Sequence, residues 1–207
     1  MTFPSFHSSD FEVFAVPGLE ARMAALIERV RPKLHELGDS VAPALSALCG
    51  EDMFPHVARH ARRTINPPND TWVAWAHDKR GYKAHPHYQV GLFSTHLFIQ
   101  FAIIYESPNK TIFADRLRKK LKTVRQEVPD HYFWSLDHMK PDVTFHGEMG
   151  KRDFETIADK LKQVKKAEVM CGRQIRRDDP LLADGDQLFA AVMDTFERLL
   201  PLYRLSF

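Results

Sequence analysis

The centre of the predicted fold is residues 56–105, HVARHARRTINPPNDTWVAWAHDKRGYKAHPHYQVGLFSTHLFIQFAIIY. It contains three runs rich in β-branched and aromatic residues, which favour strands: TWVAWA, YQVGLFS and THLFIQFAIIYE, the last extending to Glu106. The turn-like HDKRGY and the short break at Ser94-Thr95 separate them, so we predict an antiparallel meander. The third run is apolar at both odd and even positions, which is typical of a central strand covered on both faces.

Helical periodicity precedes this stretch. Apolar residues from Leu19 to Leu37 recur at helical spacing, and Pro32 is expected to kink or end that helix and Gly38 to close it. A second helix is predicted over VAPALSALCG, residues 41–50. A third, short helix is predicted from Pro55 to Ile65, before Asn66-Pro67-Pro68 forbids further helix.

After the meander, helix and strand patterns alternate to the end of the chain. Helices are predicted over residues 111–128, 151–164 and 184–205, and strands over 131–138, 141–149 and 167–175. We therefore expect a single α+β domain across residues 1–207. Its sheet should be central and mainly antiparallel, with N-terminal helices, further helices packed on the sheet and a C-terminal helix.

Composition narrows the class of protein. Hydrophobic residues make up 44% and charged residues 27%, which is an ordinary globular mixture. The net charge of +2 and the sequence pI near 8.5 disfavour a nucleic-acid partner. Cys49 and Cys171 lie far apart, and the first residues lack a secretory pattern, so a cytoplasmic protein is expected. No apolar run reaches the roughly 18 residues of a membrane helix.

One polar surface follows from hairpin geometry. A two-residue turn at Ser94-Thr95 would pair His87 with Ala102 and Gln89 with Gln100, so that His87, Gln89, His96 and Gln100 share one face of the sheet. Buried polar groups without partners cost about 1 to 3 kcal/mol each. These four side chains should therefore line a wet cavity, bind a ligand or satisfy one another.

A basic and aromatic cluster lies close by in sequence. Arg59, Arg62 and Arg63 precede Trp72, and Arg80, Tyr82 and Lys83 follow it. Guanidinium groups present planar donors that suit phosphate or carboxylate. The competing interpretation is that HDKRGYK is a solvated hairpin tip.

Catalytic and metal motifs are weak. His56 and His60, four apart on the predicted short helix, would have chelating spacing, but HVARH lacks the glutamate of HExxH and is flanked by arginines. We expect no metal site and no cofactor. GxSxG, P-loop and GxGxxG motifs are absent from the sequence, so it assigns no catalytic residue.

Several blocks carry a resemblance to a known family. The sequences HxxRHARRTINPPNDTWVAW, KRGYKxHPHYQVGL and KKAEVMCGRQI, with RVRPKLHELG and LLPLYRL towards the ends, resemble the YktB-like family of uncharacterised bacterial proteins. The resemblance spans nearly the whole chain and implies a cytoplasmic, single-domain α+β protein. It supplies no activity, cofactor or catalytic residue.

The leading functional hypothesis is binding of a small anionic, phosphate-bearing ligand at the basic and aromatic surface. The candidate ligand-binding residues are Arg59, Arg62, Arg63, Asn66, Trp72, Arg80, Tyr82, Lys83, His87, Gln89, His96 and Gln100. One alternative is a histidine-based, metal-assisted hydrolytic enzyme. Another is a protein or nucleic-acid interaction module. The sequence does not predict the oligomeric state.

Overall fold

Seven strands form one sheet in the computed structural model, which describes residues 3–207. The strands are β1 (Phe54–Val57), β2 (Asp70–Ala76), β3 (His87–Phe93), β4 (His96–Ile103), β5 (Phe133–Ser135), β6 (Thr144–Phe145) and β7 (Val169–Arg176). Their order is β1-β2-β3-β4-β7-β5-β6, and every neighbouring pair is antiparallel. The predicted meander is β2 to β4, and β4 lies in the middle of the sheet, buried along its length.

In the described part of the chain, seven α-helices accompany the sheet: α1 (Ser8–Glu12), α2 (Leu19–Ala25), α3 (Arg31–Cys49), α4 (Asn109–Lys119), α5 (Leu121–Glu127), α6 (Lys151–Gln163) and α7 (Gly185–Arg204). A π-helical turn, Leu26–Val30, joins α2 to α3. None of the helices within residues 3–207 is both long enough and apolar enough to cross a membrane. The predicted fold class is confirmed: helices at both ends and a largely antiparallel sheet with helices packed on it.

The helix boundary predicted at Gly38 is wrong, because α3 continues through Gly38 and Pro43 to Cys49. Gly38 is buried where α3 crosses the sheet, and a Cβ atom there would lie 3.0 Å from the Cβ of Pro55. Its carbonyl accepts a 2.9 Å hydrogen bond from the indole of Trp75. The glycine therefore allows close packing of helix on strand. Gly50, with φ 79°, ends α3, at the end of the segment predicted as the second helix.

The short helix predicted from Pro55 to Ile65 is also wrong. Phe54–Val57 pairs with β2 as an edge strand, residues 58–69 are irregular, and His60 has a φ of 52°. The apolar positions spaced four apart gave a false helical pattern, since Ala61 is exposed and the side chain of Ile65 is 80% exposed. Strand pairing overrides local helical spacing here.

The two faces of the sheet have different coverings. On one face, large side chains such as Trp75, Tyr88 and Phe101 join the main hydrophobic core, to which α3, α6 and α7 contribute. The opposite face carries only a small apolar cluster around Phe98 and Phe133. Loops rather than helices border this second face, which leaves room for a cleft.

The register of the β3–β4 hairpin is the predicted one. Gln89 pairs with Gln100, His87 with Ala102 and Gly91 with Phe98, around a two-residue turn at Ser94-Thr95. His87, Gln89, His96 and Gln100 therefore share the face that lacks a helical cover.

Candidate functional site

A cleft lies on the face of the sheet opposite the helices. Strands β2, β3, β4, β5 and β7 form its floor, and loop residues from the segments 77–86 and 136–143 form its rim. Its empty volume is about 710 Å³, including the part open to solvent. Phe93, Phe98, Phe133 and Met170 give it an apolar wall.

A chain of hydrogen bonds orders the amides at the floor of the cleft. His87 donates from Nδ1 to the carbonyl oxygen of His85 (2.7 Å), and the Gln89 amide donates to His87 Nε2 (3.1 Å). The Gln100 amide donates in turn to Gln89 Oε1 (2.6 Å). Burial lowers the pKa of His87 to about 4, so its ring is neutral at pH 7. Because a carbonyl can only accept, the single ring proton is on Nδ1 and Nε2 accepts.

This network links three of the four polar side chains of the hairpin by hydrogen bonds. His96 stands apart, with its Nδ1 2.8 Å from Thr95 Oγ1, and burial lowers its pKa to about 4. Gln100 Oε1 accepts no hydrogen bond from any other part of residues 3–207, and each amide nitrogen makes only one. Both glutamines line the cleft, so the network presents fixed donors and an acceptor to a ligand.

Asp70, the first residue of β2, is an unusual member of the lining. It is only 4% exposed, and no other side chain of the described residues donates a hydrogen bond to its carboxylate. Burial raises its pKa to about 6, although the charges of His138 and Arg63 and a hydrogen bond from its own backbone N–H act in the opposite direction. At neutral pH the cleft therefore contains a desolvated, largely ionised carboxylate with which no other side chain pairs.

His138 lies in the rim and is tied to Glu168, the residue just before β7. Glu168 Oε1 accepts hydrogen bonds from the ring Nδ1 of His138 (2.7 Å) and from its backbone N–H (2.8 Å). Glu168 is 5% exposed, and within residues 3–207 its Oε2 has no hydrogen-bond partner. The hydrogen bond to Glu168 raises the pKa of His138, with further support from nearby carboxylates.

The mouth of the cleft carries charges of both signs. Lys83 faces Glu106 at 3.9 Å, and Lys140 faces Asp137 at 3.5 Å. Together with Asp70, the lining thus contains more carboxylates than lysines, and no arginine from the described residues contributes to it. The cleft does not have the charge of a dedicated anion site.

An aromatic hydrogen bond borders the same cleft. The indole of Trp72 donates to the hydroxyl of Tyr82 (3.0 Å), and burial raises the pKa of Tyr82 to about 12. The phenol therefore stays protonated at neutral pH. Both rings line the cleft and are available to contact a planar ligand.

The structure brings together about half of the candidate residues named from the sequence. Six line the cleft: Trp72, Tyr82, Lys83, Gln89, His96 and Gln100. His87 supports Gln89 within the sheet. The others lie outside the lining: Arg59, Arg62, Arg63 and Asn66 in the segment between β1 and β2, and Arg80 between β2 and β3. The side chain of Arg80 is 91% exposed and contacts Asp78.

The two histidines considered as a chelating pair do not converge. His56 bonds to the carbonyl oxygen of Asp78 (2.9 Å), and His60 lies 3.3 Å from Thr71 Oγ1. Across residues 3–207, no three His, Cys, Asp or Glu side chains are grouped as a metal site requires.

Sequence reasoning missed Asp70 and the pair formed by His138 and Glu168. Asp70 has the local sequence of a turn, and its burial depends on the strands beside it. Glu168 lies 30 residues beyond His138, and they meet because β5 pairs with β7. No motif in the sequence signals that contact.

Comparison with known proteins identifies the family. The model of the domain of unknown function DUF1054 matches residues 6–203. The chain belongs to the DUF1054 family. A UPF0637 protein of Bacillus licheniformis is 48% identical over 97% of this chain and 95% of its own length. UPF0637 proteins of Bacillus velezensis and Oceanobacillus iheyensis are each 46% identical, over 100% and 97% of this chain and 98% and 96% of their own lengths.

The family assignment confirms the resemblance to the YktB-like proteins, which are UPF0637 proteins. The match covers the strands and helices that form the cleft of this DUF1054 protein. The names of these relatives state no activity, so the cleft itself must supply the argument about function.

Proposed function

We propose that this DUF1054 protein binds a small, planar ligand that presents N–H donors together with a carbonyl or ring-nitrogen acceptor. The observation that carries the proposal is Asp70, a carboxylate in the lining of the cleft, 4% exposed, that has no side-chain hydrogen-bond donor among the described residues. A ligand N–H group would supply that donor. Convergent polar groups in an apolar concavity are typical of small-molecule sites.

The amide network defines the second contact. Gln89 and Gln100 are held by hydrogen bonds that fix which atoms donate and which accept. Their free N–H groups suit a ligand carbonyl, and Gln100 Oε1 suits a ligand N–H. Because the amides are already ordered, binding requires little loss of side-chain entropy.

The register of β2 against β3 indicates the size of the ligand. Asp70 pairs with Phe93, which lies four residues from Gln89 along β3, or about 13 Å at roughly 3.3 Å per residue. A ligand that contacts both ends is therefore about the size of a nucleoside. Trp72 and the phenylalanines of the wall offer apolar surface between those ends.

The phosphate-binding hypothesis applies to a separate surface. Arg59 and Arg62 are exposed, and no ion pair involves them in the part of the chain that the structure describes. A phosphate on a cleft ligand could approach Lys83 or Lys140 at the mouth, whereas the arginines lie outside the lining. Anion binding by the arginine segment therefore remains a second proposal with its own test.

A thermal-shift screen tests ligand binding in the cleft and anion binding by the arginine segment. Nucleobases, nucleosides and nucleoside monophosphates are compared at equal concentration on the wild type, Asp70→Asn, Gln100→Leu and Arg62→Ala. Ligand at 100 times Kd adds about 2.7 kcal/mol to stability, which shifts Tm by several degrees. We expect uncharged nucleosides to stabilise the wild type and Arg62→Ala, and the two cleft variants to lose the shift.

Two results would reverse this assignment. Stabilisation by phosphate-bearing members alone, abolished in Arg62→Ala, would transfer the function to the arginine segment. Equal shifts in the wild type and Asp70→Asn would remove Asp70 from the site. Asp142→Asn is the matched control, because Asp142 is an exposed carboxylate outside the cleft lining.

A further inference from the structure

The pairing of His138 with Glu168 is more than ligand binding requires. One carboxylate oxygen accepts from both the ring and the backbone N–H of His138, so it fixes the position and the orientation of the imidazole. The ring lines the cleft while Glu168 lies behind it. Its Nε2 makes no hydrogen bond with any group in residues 3–207. A base held by a buried carboxylate with its other nitrogen free is the arrangement of a general acid–base catalyst.

His138 faces the same cleft as the amide network. It belongs to the rim segment 136–143 and lines the cleft together with Asp70, Gln89 and Gln100. Its imidazole can therefore contact a ligand that those residues bind.

We infer that His138, with Glu168 as its positioning residue, catalyses the hydrolysis of an acyl linkage, an ester or amide, in the ligand that the cleft binds. This inference rests on the proposed function. In neutral His138 the proton is on Nδ1, which donates a hydrogen bond to Glu168, and Nε2 takes a proton from water. The water oxygen bonds to the carbonyl carbon, the bond from that carbon to the leaving oxygen or nitrogen breaks, and Nε2–H returns the proton to the leaving atom. The glutamine N–H groups are the donors on this face for the carbonyl oxygen.

The pH dependence follows from the charges around the imidazole. The groups that face His138 are Glu168, Asp70, Asp137, His87 and Lys140. Glu168 dominates and raises the pKa of His138. Because the reaction needs the neutral ring, the rate should rise with pH through that raised pKa. Glu168→Gln removes the negative charge but keeps an oxygen acceptor, so it should move the midpoint to lower pH.

The experiment uses p-nitrophenyl acetate and p-nitroacetanilide as ester and amide probes on the full chain. We expect His138→Gln to lower the rate at least about 100-fold, as is typical for loss of a general base. His35→Gln on α3, an exposed histidine remote from the cleft, should keep the wild-type rate. The pH profile should have one midpoint, and that midpoint should fall in Glu168→Gln.

Equal rates in the wild type and His138→Gln, or no turnover of either probe by the wild type, would overturn the inference. So would an unchanged midpoint in Glu168→Gln. If His138→Gln fails to fold, the activity of the wild-type protein is measured after diethyl pyrocarbonate has modified its histidines. Activity that persists after full modification of His138 excludes a catalytic role for this residue. Ligand-induced thermal shifts that survive without turnover leave the proposed binding function standing.

Discussion

Replacing Asp70 with Asn should make the protein more stable at neutral pH, and the gain should vary with pH in a defined way. Burial raises the pKa of Asp70 to about 6 in the folded chain, compared with about 3.9 in an unfolded one. The folded state therefore binds the proton more tightly, and Asp70 lowers stability as pH rises from about 4 through 6. The difference of about 2 between the two pKa values corresponds to about 3 kcal/mol, at about 1.4 kcal/mol per unit.

The Asn side chain has a similar shape and does not ionise, so it avoids this cost. Urea unfolding of both proteins between pH 3.5 and 8 measures the effect. The two free energies of unfolding should nearly coincide at pH 3.5, and Asp70→Asn should be about 3 kcal/mol more stable above pH 7. The acid-induced losses that both proteins share cancel in this difference.

Asp142→Asn, at an exposed site, controls for the general effect of removing a carboxylate and should leave the curve unchanged within about 0.5 kcal/mol. A difference that is flat with pH, or an Asp70→Asn protein that is less stable at pH 7, would refute the argument. The first result would mean that Asp70 is not desolvated. The second would mean that the carboxylate accepts hydrogen bonds, for example from bound water, that an amide cannot replace.

Three further predictions concern the same face of the sheet. The free energy of unfolding should fall as pH drops from 6.5 towards 4, because His87 and His96 are buried in neutral form with pKa values of about 4. His87 alone should account for about 3 kcal/mol of this loss, so His87→Gln should flatten the curve of unfolding free energy against pH, measured in urea, over that range. Gln100→Leu should cost about 1 to 3 kcal/mol in urea, since Gln89 Oε1 loses its donor, whereas unchanged stability would show that water replaces the amide. Gly91→Ala should lower the free energy of unfolding by about 1 to 3 kcal/mol, because the new Cβ would lie 2.6 Å from the Thr71 carbonyl oxygen and 2.7 Å from Trp72 Cβ. Gly81→Ala, whose Cβ would have no atom within 4 Å, is the control and should change stability by less than about 0.5 kcal/mol; equal effects of the two substitutions would contradict the packing argument.

The sheet could be predicted because its central part is local. The runs of β2, β3 and β4 follow one another, and a two-residue turn fixes the β3–β4 register, so the pairing of Gln89 with Gln100 follows from loop length alone. The failures lie where tertiary contacts replace local preference. Gly38 looks like a helix terminator, but its missing side chain lets α3 approach Pro55. The sequence from Pro55 onwards predicts a helix, whereas in the folded chain Phe54–Val57 is a strand because it pairs with β2.

The site was half predictable for the same reason. The hairpin residues face the cleft because side chains alternate along a strand, and this alternation can be read from the sequence. The rim segment 136–143 lies beside the cleft because β5 pairs with β7, which the sequence does not predict. The arginines were grouped with the hairpin because they are close in sequence. The irregular segment between β1 and β2 leaves them outside the cleft lining instead.

The free-energy cost of burying polar groups in the cleft indicates that Asp70 serves binding rather than stability. The polar side chains of the hairpin floor are hydrogen-bonded to one another, in the chain from His85 through His87 and Gln89 to Gln100. Asp70 has no side-chain donor among the described residues in the same concavity, and an uncharged residue there would be less costly to bury. A costly group beside an optimised network is what a binding site requires, because the ligand supplies the missing partner. Stability gained by Asp70→Asn together with loss of the ligand-induced thermal shift would therefore be the combined signature of a site maintained for binding.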